Sequence, residues 1–204
     1  MGDNFFSKNG LRKISRNAVS SLGDDVKRDK SFLIQQKFIG SDFFSCDIFL
    51  SYFAMPSEVD TALLNEKILS DGKKLFLPRT HLDSYFMDFF EIDGNRNIFE
   101  QVEKNNFGIY EPFVNEAAFD ANNFLGKRIC VIVPCVAFDR ERNRLGHGKG
   151  YYDYFISVLK KNFCGKAELS FCGFAFDEQI FNYISVSDND EKVDCIFTDE
   201  EILV

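Results

Sequence analysis

A glycine-rich stretch within residues 134–153 contains the residue types best suited to binding a phosphate group. Gly146, Gly148 and Gly150 occupy alternate positions between an expected strand and an expected helix. Alternating glycines leave backbone N–H groups uncovered and allow a positive φ, so an oxyanion can approach the main chain. The helix expected to begin at Tyr151 adds the positive end of its dipole. The stretch therefore predicts an anion-binding loop, although a solvated surface turn has a similar composition.

Two cations and one carboxylate flank these glycines. Arg144 offers a planar fork of N–H donors and Lys149 a point charge, and both suit a phosphate ligand. Asp153, in the first turn of the expected helix, would repel a polyphosphate unless a divalent cation lay between them. Mg²⁺ binds a few protein carboxylates together with phosphate and water oxygens. The loop and Asp153 together predict a magnesium–nucleotide site, while Asp153 alone is also an ordinary first-turn carboxylate.

Spacing and charge exclude several other kinds of site. The chain has neither a G-x-x-x-x-G-K-[ST] motif nor the G-x-G-x-x-G pattern of dinucleotide sites. Its 24 basic and 32 acidic residues give a formal charge of −8, which argues against nucleic acid as a partner. Residues 139–149 are locally basic, with four cations against two carboxylates. A basic patch on an acidic protein suits a small anionic ligand.

The cysteines and histidines further limit the class of protein and the kinds of metal site. The six cysteines form no C-x-x-C pair and lie mostly in apolar runs, which indicates reduced core thiols. The two histidines exclude a histidine-rich metal site. No apolar run approaches the roughly 18 residues of a membrane span, and no signal pattern opens the chain. We therefore expect a cytosolic protein with no membrane partner.

Strands alternate with helices along the chain. Helices are predicted over residues 8–22, 25–41, 58–70 and 151–161, and strands over residues 46–55, 73–78, 84–92, 126–134, 169–176 and 193–198. Ser57 is the expected N-cap of the third helix, and residues 93–127 and 138–150 are expected to be irregular. This order predicts an α/β fold: a single three-layer domain over residues 1–204 with a mostly parallel, doubly wound, Rossmann-like sheet.

The glycine-rich stretch resembles a family signature. RLGHGKGYYD (144–153), after VPCVAFD (133–139), resembles the signature of the 5-formyltetrahydrofolate cyclo-ligase family, also called methenyltetrahydrofolate synthetases. Weaker family-like motifs occur in order at Lys8–Arg12, Ser57–Thr61, Met87–Phe89, Phe107–Pro112 and Asn189–Asp194. Two departures are Cys135 and Arg142, which stand where the family commonly has glycine.

The resemblance implies an ATP- and Mg²⁺-dependent ligase that converts 5-formyltetrahydrofolate to 5,10-methenyltetrahydrofolate and releases ADP and phosphate. It implies ATP binding by Lys8, Arg12, Arg144, Leu145, Gly146, His147, Gly148, Lys149, Gly150, Tyr151 and Tyr152, with Arg144 and Lys149 as the catalytic cations. It implies Mg²⁺ at Asp153 and Asp190, and folate binding by Glu58, Met87, Phe107 and Tyr152. From the residues alone, Lys8 and Arg12 also fit a solvated helix face, Glu58 a first-turn charge, Asp190 a solvated loop, and Met87 and Phe107 the core.

Two other functions stay open at this point. One is a sugar-phosphate isomerase or a CoA-transferase-like enzyme on a related scaffold, which would use the same anion loop without hydrolysing ATP. The other is a non-catalytic module that binds folate or an anion, an alternative motivated by the departures at Cys135 and Arg142. The leading interpretation predicts a monomer whose partners are two small molecules, the folate and ATP.

Overall fold

Four α-helices and twelve strands make up the described chain, which in this computed structural model comprises residues 7–81, 84, 86–106, 108–114, 118–163 and 165–204. The helices are α1 (Lys8–Ser20), α2 (Asp24–Ile39), α3 (Ala62–Ser70) and α4 (Tyr151–Phe163). The strands are β1 (Ile48–Leu50), β2 (Lys74–Thr80), β3 (Met87–Ile92), β4 (Val102–Lys104), β5 (Tyr110–Pro112), β6 (Arg128–Val133), β7 (Ala137–Asp139), β8 (Arg144–Leu145), β9 (Glu168–Phe174), β10 (Ile180–Phe181), β11 (Cys195–Phe197) and β12 (Ile202–Leu203). Short 3-10 turns lie at Asp42–Ser45, Ile98–Glu100, Ala121–Phe124 and Asp177–Gln179.

A seven-stranded sheet with the order β12-β11-β9-β6-β1-β2-β3 forms the centre. Its five inner strands are parallel, and β12 and β3 add an antiparallel strand at each edge. Residues 129–133 of β6 are fully buried, as a parallel strand covered on both faces must be. The prediction of an α/β fold with a mostly parallel sheet is confirmed.

Helices cover both faces of this sheet. Apolar side chains of α1, α2 and α3 pack on one face, around a group of edge-to-face rings centred on Phe38. On the other face α4 contributes Ile156, Leu159 and Phe163 to a second core. The sheet therefore lies between two helical layers, as predicted for a doubly wound fold. That residues 1–204 form a single domain stays a prediction.

The strand order places a crevice between β1 and β6. From β1 the chain continues to β2 on one side, whereas from β6 it continues to β9 on the other side. Ligands of open α/β sheets bind outside the carboxyl ends of two such neighbouring strands. The segment after β1 leads to Glu58, and the segment after β6 leads to the glycine loop. The topology therefore brings two distant predicted site segments to one edge of the sheet.

Five cysteines are free and buried, which confirms the prediction of core thiols for Cys46, Cys130, Cys135, Cys172 and Cys195. Burial raises the pKa of the Cys135 thiol and of the Cys172 thiol well above the usual value. Cys164 lies outside the described residues. Over the part of the chain that the structure describes, no helix is both long and apolar enough to cross a membrane.

The third helix begins four residues later than predicted. Helix α3 starts at Ala62, and Ser57 is not its N-cap. The N–H of Glu58 donates to Met55 O at 2.9 Å, and the Glu58 carboxylate accepts from Met55 N at 2.9 Å. The Asp60 carboxylate in turn accepts from Ala62 N. Because these carboxylates stabilise turns, the segment that reads as a first helical turn lies outside the helix.

Two segments expected to be irregular contain short hairpins. Strands β4 and β5 pair within residues 93–127, and β7 and β8 pair within residues 137–145. The Asp139 carboxylate organises the second turn by accepting from Glu141 N, Asn143 N and Asn143 Nδ2 at 2.8–3.0 Å. These bonds join residues that are two and four positions apart in the sequence. By composition alone, the segment therefore resembles a polar loop. The hairpin holds Arg144 at a fixed position beside the glycines.

Candidate functional site

The glycine loop, residues 146–150, joins β8 to α4 at the edge described above. Gly148 and Gly150 adopt φ values of +106° and +76°, a region in which side chains are strained. A methyl group at Gly146 would lie 2.7 Å from Arg144 Nη1. Two of the glycines are therefore required by their backbone conformation, and the third by the close passage of a guanidinium.

Helix α1 presents two cations to this loop and a third to Asp190. Arg12 Nε donates to Gly146 O at 2.9 Å, and Arg16 Nη2 lies 3.3 Å from His147 Nδ1. Lys8 Nζ donates to Asp190 at 2.5 Å. Burial, and next the neighbouring Arg16 charge, lowers the pKa of Arg12. The three side chains recur every four residues, so one face of α1 lies beside the loop and Asp190.

Arg144 is the most buried cation of the site. Its side chain is 4% exposed, and its Nη2 donates to Asp153 Oδ2 at 2.7 Å. The guanidinium carbon lies 5.5 Å from the ring centre of Tyr152. Among the described residues, Arg144 Nε has no hydrogen-bond partner although it is buried. An unpaired buried donor of this kind is available to a ligand.

The two predicted metal ligands lie near each other. The Asp190 carboxylate accepts from Lys8 and from Ser187, and the N–H of the next residue, Glu191, donates to Asp153 Oδ1 at 3.4 Å. Burial alone would raise the pKa of Asp190, but its bonds with Lys8 and Ser187 hold that pKa below its usual value. Within the described ranges, no three His, Cys, Asp or Glu side chains form a ready metal cage. Two hard carboxylate donors on neighbouring segments are nevertheless ligands that Mg²⁺ accepts together with phosphate and water oxygens.

Glu58 and His147 link the loop to the segment after β1. The Glu58 side chain is 5% exposed, and its Oε1 lies 3.2 Å from His147 Nε2. The Tyr152 hydroxyl is buried, and no partner for it exists among the described residues. Burial, and next the Glu58 charge, raises the pKa of Tyr152 far above its usual range. A buried carboxylate and a protonated hydroxyl thus lie next to the predicted phosphate site.

The remaining predicted site residues are less closely associated with the glycine loop. Met87 is 6% exposed in the core beneath α4, and it pairs with Thr80 where β2 ends at the site edge. Lys149 is exposed, and no ion pair joins it to another described residue. Phe107 lies outside the described residues. Arg140, which contributes to the basic window, pairs instead with Glu201 at 2.8 Å.

The two departures from the family pattern have different consequences. Arg142 adopts φ +65°, the left-handed region that favours glycine. Its backbone nevertheless closes the hairpin turn, since its N–H donates to Asp139 O. The Cys135 thiol packs in the core and contacts Phe174 O at 3.7 Å. Neither side chain removes a cation or carboxylate from the site.

Sequence reasoning missed two residues that organise the site. Arg16 lies one helical turn beyond Arg12, and this i, i+4 spacing was a usable signal. Gln179 is buried, and its Nε2 donates to Val136 O at 3.0 Å and lies 3.5 Å from Ser57 O. It therefore joins the hairpin to the turn that holds Glu58. Its local bond, from Phe176 N to Gln179 Oε1 at 2.9 Å, marks only a turn, and the partners that tie it to the site lie more than 40 residues away.

Known proteins are similar to this chain over nearly its whole length. Residues 5–199 match the model of the 5-formyltetrahydrofolate cyclo-ligase family. The chain is similar to 5-formyltetrahydrofolate cyclo-ligase of Mus musculus, with 29% identity over 92% of this chain and 91% of that protein. It is also similar to the probable 5-formyltetrahydrofolate cyclo-ligase of Schizosaccharomyces pombe, with 31% identity over 96% and 97% of the two chains.

Solved structures share the fold. The NMR structure of Aquifex aeolicus 5,10-methenyltetrahydrofolate synthetase superposes with a TM-score of 0.75 at 24% identity, over 96% of this chain and 91% of that one. The 5,10-methenyltetrahydrofolate synthetase from Mycoplasma pneumoniae superposes with a TM-score of 0.69 at 20% identity, over 94% and 98% of the two chains. At these identities the structures support the three-layer fold alone.

Proposed function

We infer that this chain, which belongs to the 5-formyltetrahydrofolate cyclo-ligase family, is an ATP-dependent ligase acting on a folate. It converts 5-formyltetrahydrofolate to 5,10-methenyltetrahydrofolate and releases ADP and phosphate. One observation carries the proposal: His147 of the glycine loop lies 3.2 Å from the buried Glu58 carboxylate. The predicted phosphate loop and the predicted folate residue are therefore adjacent, as transfer between the two substrates requires.

The chemistry begins with a poor leaving group, the formyl oxygen of the substrate. That oxygen attacks the γ-phosphorus of ATP, a new P–O bond forms, and the bond to ADP breaks. The amine at nitrogen 10 then attacks the formyl carbon, loses its proton, and expels the phosphorylated oxygen as phosphate. The protein must align the formyl oxygen with the γ-phosphorus and neutralise the charge of the transferring group.

We propose that Lys8, Arg12, Arg144 and Lys149 bind the ATP phosphates together with the backbone of residues 145–152. The buried guanidinium of Arg144, with an unpartnered Nε beside the loop, supports this assignment. The positive φ of Gly148 and Gly150 turns backbone groups toward a ligand, and the α4 N-terminus adds its dipole. Arg144 and Lys149 would neutralise the charge on the transferring phosphoryl group.

Asp153 and Asp190 are the proposed Mg²⁺ ligands. Both are hard oxygen donors, and the bond from Glu191 N to Asp153 keeps the two segments together. A bound Mg²⁺ would offset phosphate charge next to these carboxylates. In its absence Lys8 and Arg144 stabilise the same carboxylates by ion pairing.

Glu58, Tyr152 and Met87 are the proposed folate contacts, with Phe107 as a fourth. The Glu58 carboxylate can accept hydrogen bonds from the amino group and ring N–H of a pterin. Burial of Glu58 and of the Tyr152 hydroxyl supports a desolvated pocket in which such bonds discriminate strongly. A monomeric state and a cytosolic location stay predictions.

A direct assay tests the assignment. Purified protein mixed with 5-formyltetrahydrofolate and Mg-ATP should develop the absorbance of the methenyl product, with an equal amount of ADP released. Folate-dependent ADP release separates this enzyme from a sugar-phosphate isomerase or CoA-transferase, neither of which the comparisons favour. Tight folate binding without ADP formation would instead support a non-catalytic module.

A further inference from the structure

We propose that His147 is a positioning residue that couples the nucleotide loop to folate recognition, an inference that rests on the proposed function. Its imidazole lies between Arg16 Nη2 at 3.3 Å and Glu58 Oε1 at 3.2 Å. The backbone of His147 belongs to the predicted phosphate loop, while its side chain reaches the predicted pterin carboxylate. One residue therefore contacts both halves of the site.

Arg16 determines which ring nitrogen of His147 has the proton. A guanidinium only donates hydrogen bonds, so Nδ1 of the imidazole must accept from Arg16. The proton then lies on Nε2, which donates to Glu58 Oε1. Only this neutral tautomer makes both contacts, and Arg16 consequently orients the ring toward the carboxylate.

The contacts of Glu58 leave its carboxylate free to bind a ligand. Its Oε2 accepts from Met55 N at 2.9 Å, and its Oε1 accepts from His147. Each carboxylate oxygen has about two acceptor positions, so each retains one. Two parallel N–H donors, such as those on a 2-aminopyrimidine edge, can take these two positions without displacing His147. The two protein bonds therefore set the carboxylate plane against which a pterin would bind.

The same loop responds to the nucleotide. Arg12 Nε holds the carbonyl of Gly146, the residue directly before His147, and a phosphate bound to the loop amides would hold the other side. Fixing the loop fixes the imidazole, and fixing the imidazole orders Glu58 before the folate arrives. Binding of the nucleotide should then tighten folate binding, and the reciprocal effect must be equal in size.

Calorimetry with a non-hydrolysable ATP analogue tests this coupling. In the wild type, Mg²⁺ and the analogue should lower the Kd of 5-formyltetrahydrofolate. For His147→Ala we expect folate binding to weaken about ten- to a hundredfold, the loss of one hydrogen bond to a charged group. The analogue should then change the folate Kd little, and the KM for folate should rise more than the KM for ATP.

His147→Gln and Arg16→Lys separate positioning from simple stability. The glutamine amide can still donate to Glu58 and should restore much of the folate affinity, and Arg16→Lys retains a donor for Nδ1. Lys67→Gln is the control, because that exposed side chain pairs with Asp71 at the end of α3 and not with a residue of the site. An unchanged folate Kd and unchanged coupling in a folded His147→Ala variant would overturn this inference but not the proposed function. A wild type without folate binding would overturn the proposed function and the inference together.

Discussion

Arg144 and Asp153 form a buried ion pair with 2.7 Å between Nη2 and Oδ2. One of these residues is the proposed phosphate ligand and the other the proposed metal ligand, and Lys8 and Asp190 are paired in the same way. The charges that would bind Mg-ATP thus neutralise one another before it arrives. Nucleotide alone would leave the carboxylates facing phosphate, and metal alone would leave the cations unpaired.

The first prediction is therefore that metal and nucleotide bind together. Calorimetry should detect far weaker binding of a non-hydrolysable ATP analogue in the presence of a chelator than with Mg²⁺. Asp153→Asn should lower turnover with Mg-ATP by about a hundredfold or more, as the loss of a preorganised charge does. Asp71→Asn, at an exposed pair with Lys67 at the end of α3, is the control. Unchanged rates and Mg²⁺ dependence in Asp153→Asn would exclude the metal role.

A second prediction concerns Gly146, which lies against the guanidinium of Arg144. In Gly146→Ala the new methyl group would lie 2.7 Å from Arg144 Nη1, so the guanidinium that binds Asp153 must shift. We expect kcat/KM for ATP to fall about ten- to a hundredfold, the effect of losing a hydrogen bond between charged groups. In Gly94→Ala the methyl group meets Leu69 at an ordinary 3.6 Å, and its activity should be unchanged. Equal kinetics of the two variants would contradict a fixed Arg144.

A third prediction is that Arg142→Gly stabilises the fold. Arg142 adopts φ +65°, and a left-handed residue with a side chain costs about 1–2 kcal/mol, which exceeds the added chain entropy of glycine. Urea unfolding should show a gain of about 0.5–1 kcal/mol. The reverse change, Gly126→Ala at φ +74° in open space, should destabilise by a similar amount. A loss of stability in Arg142→Gly would mean that its side-chain contacts outweigh the backbone strain.

A fourth prediction concerns the core thiols. Because burial raises the pKa of Cys135 and of Cys172, these thiols stay protonated at neutral pH and lack the reactive thiolate. Since all five described cysteines are buried, an alkylating reagent should label none of them in the folded protein and all of them in denaturant. Peptide mass mapping distinguishes these sites from Cys164. Rapid native labelling of Cys135 would indicate that the crevice opens to solvent.

Much of the fold is encoded in local patterns. Continuous apolar runs such as residues 129–133 predicted buried strands, and the start of α4 at Tyr151 followed from the glycines before it. The predicted start of the third helix was wrong by four residues, because the carboxylates of Glu58 and Asp60 stabilise turns instead of a helix start. The β7–β8 hairpin was missed because Asp139, not an apolar pattern, organises its turn.

The candidate site, like the fold, could be predicted only in part from the sequence. By itself the sequence determined the chemical types present: the glycine loop, Arg144, Lys149 and the carboxylate of Asp153, because these residues are close along the chain. Tertiary structure alone decided that Arg144 pairs with Asp153 and that Glu58 meets His147, 89 residues away. The physical reason is topological. Parallel strands β1 and β6 are neighbours through hydrogen bonds between distant segments, and only that pairing brings their carboxyl ends to one crevice.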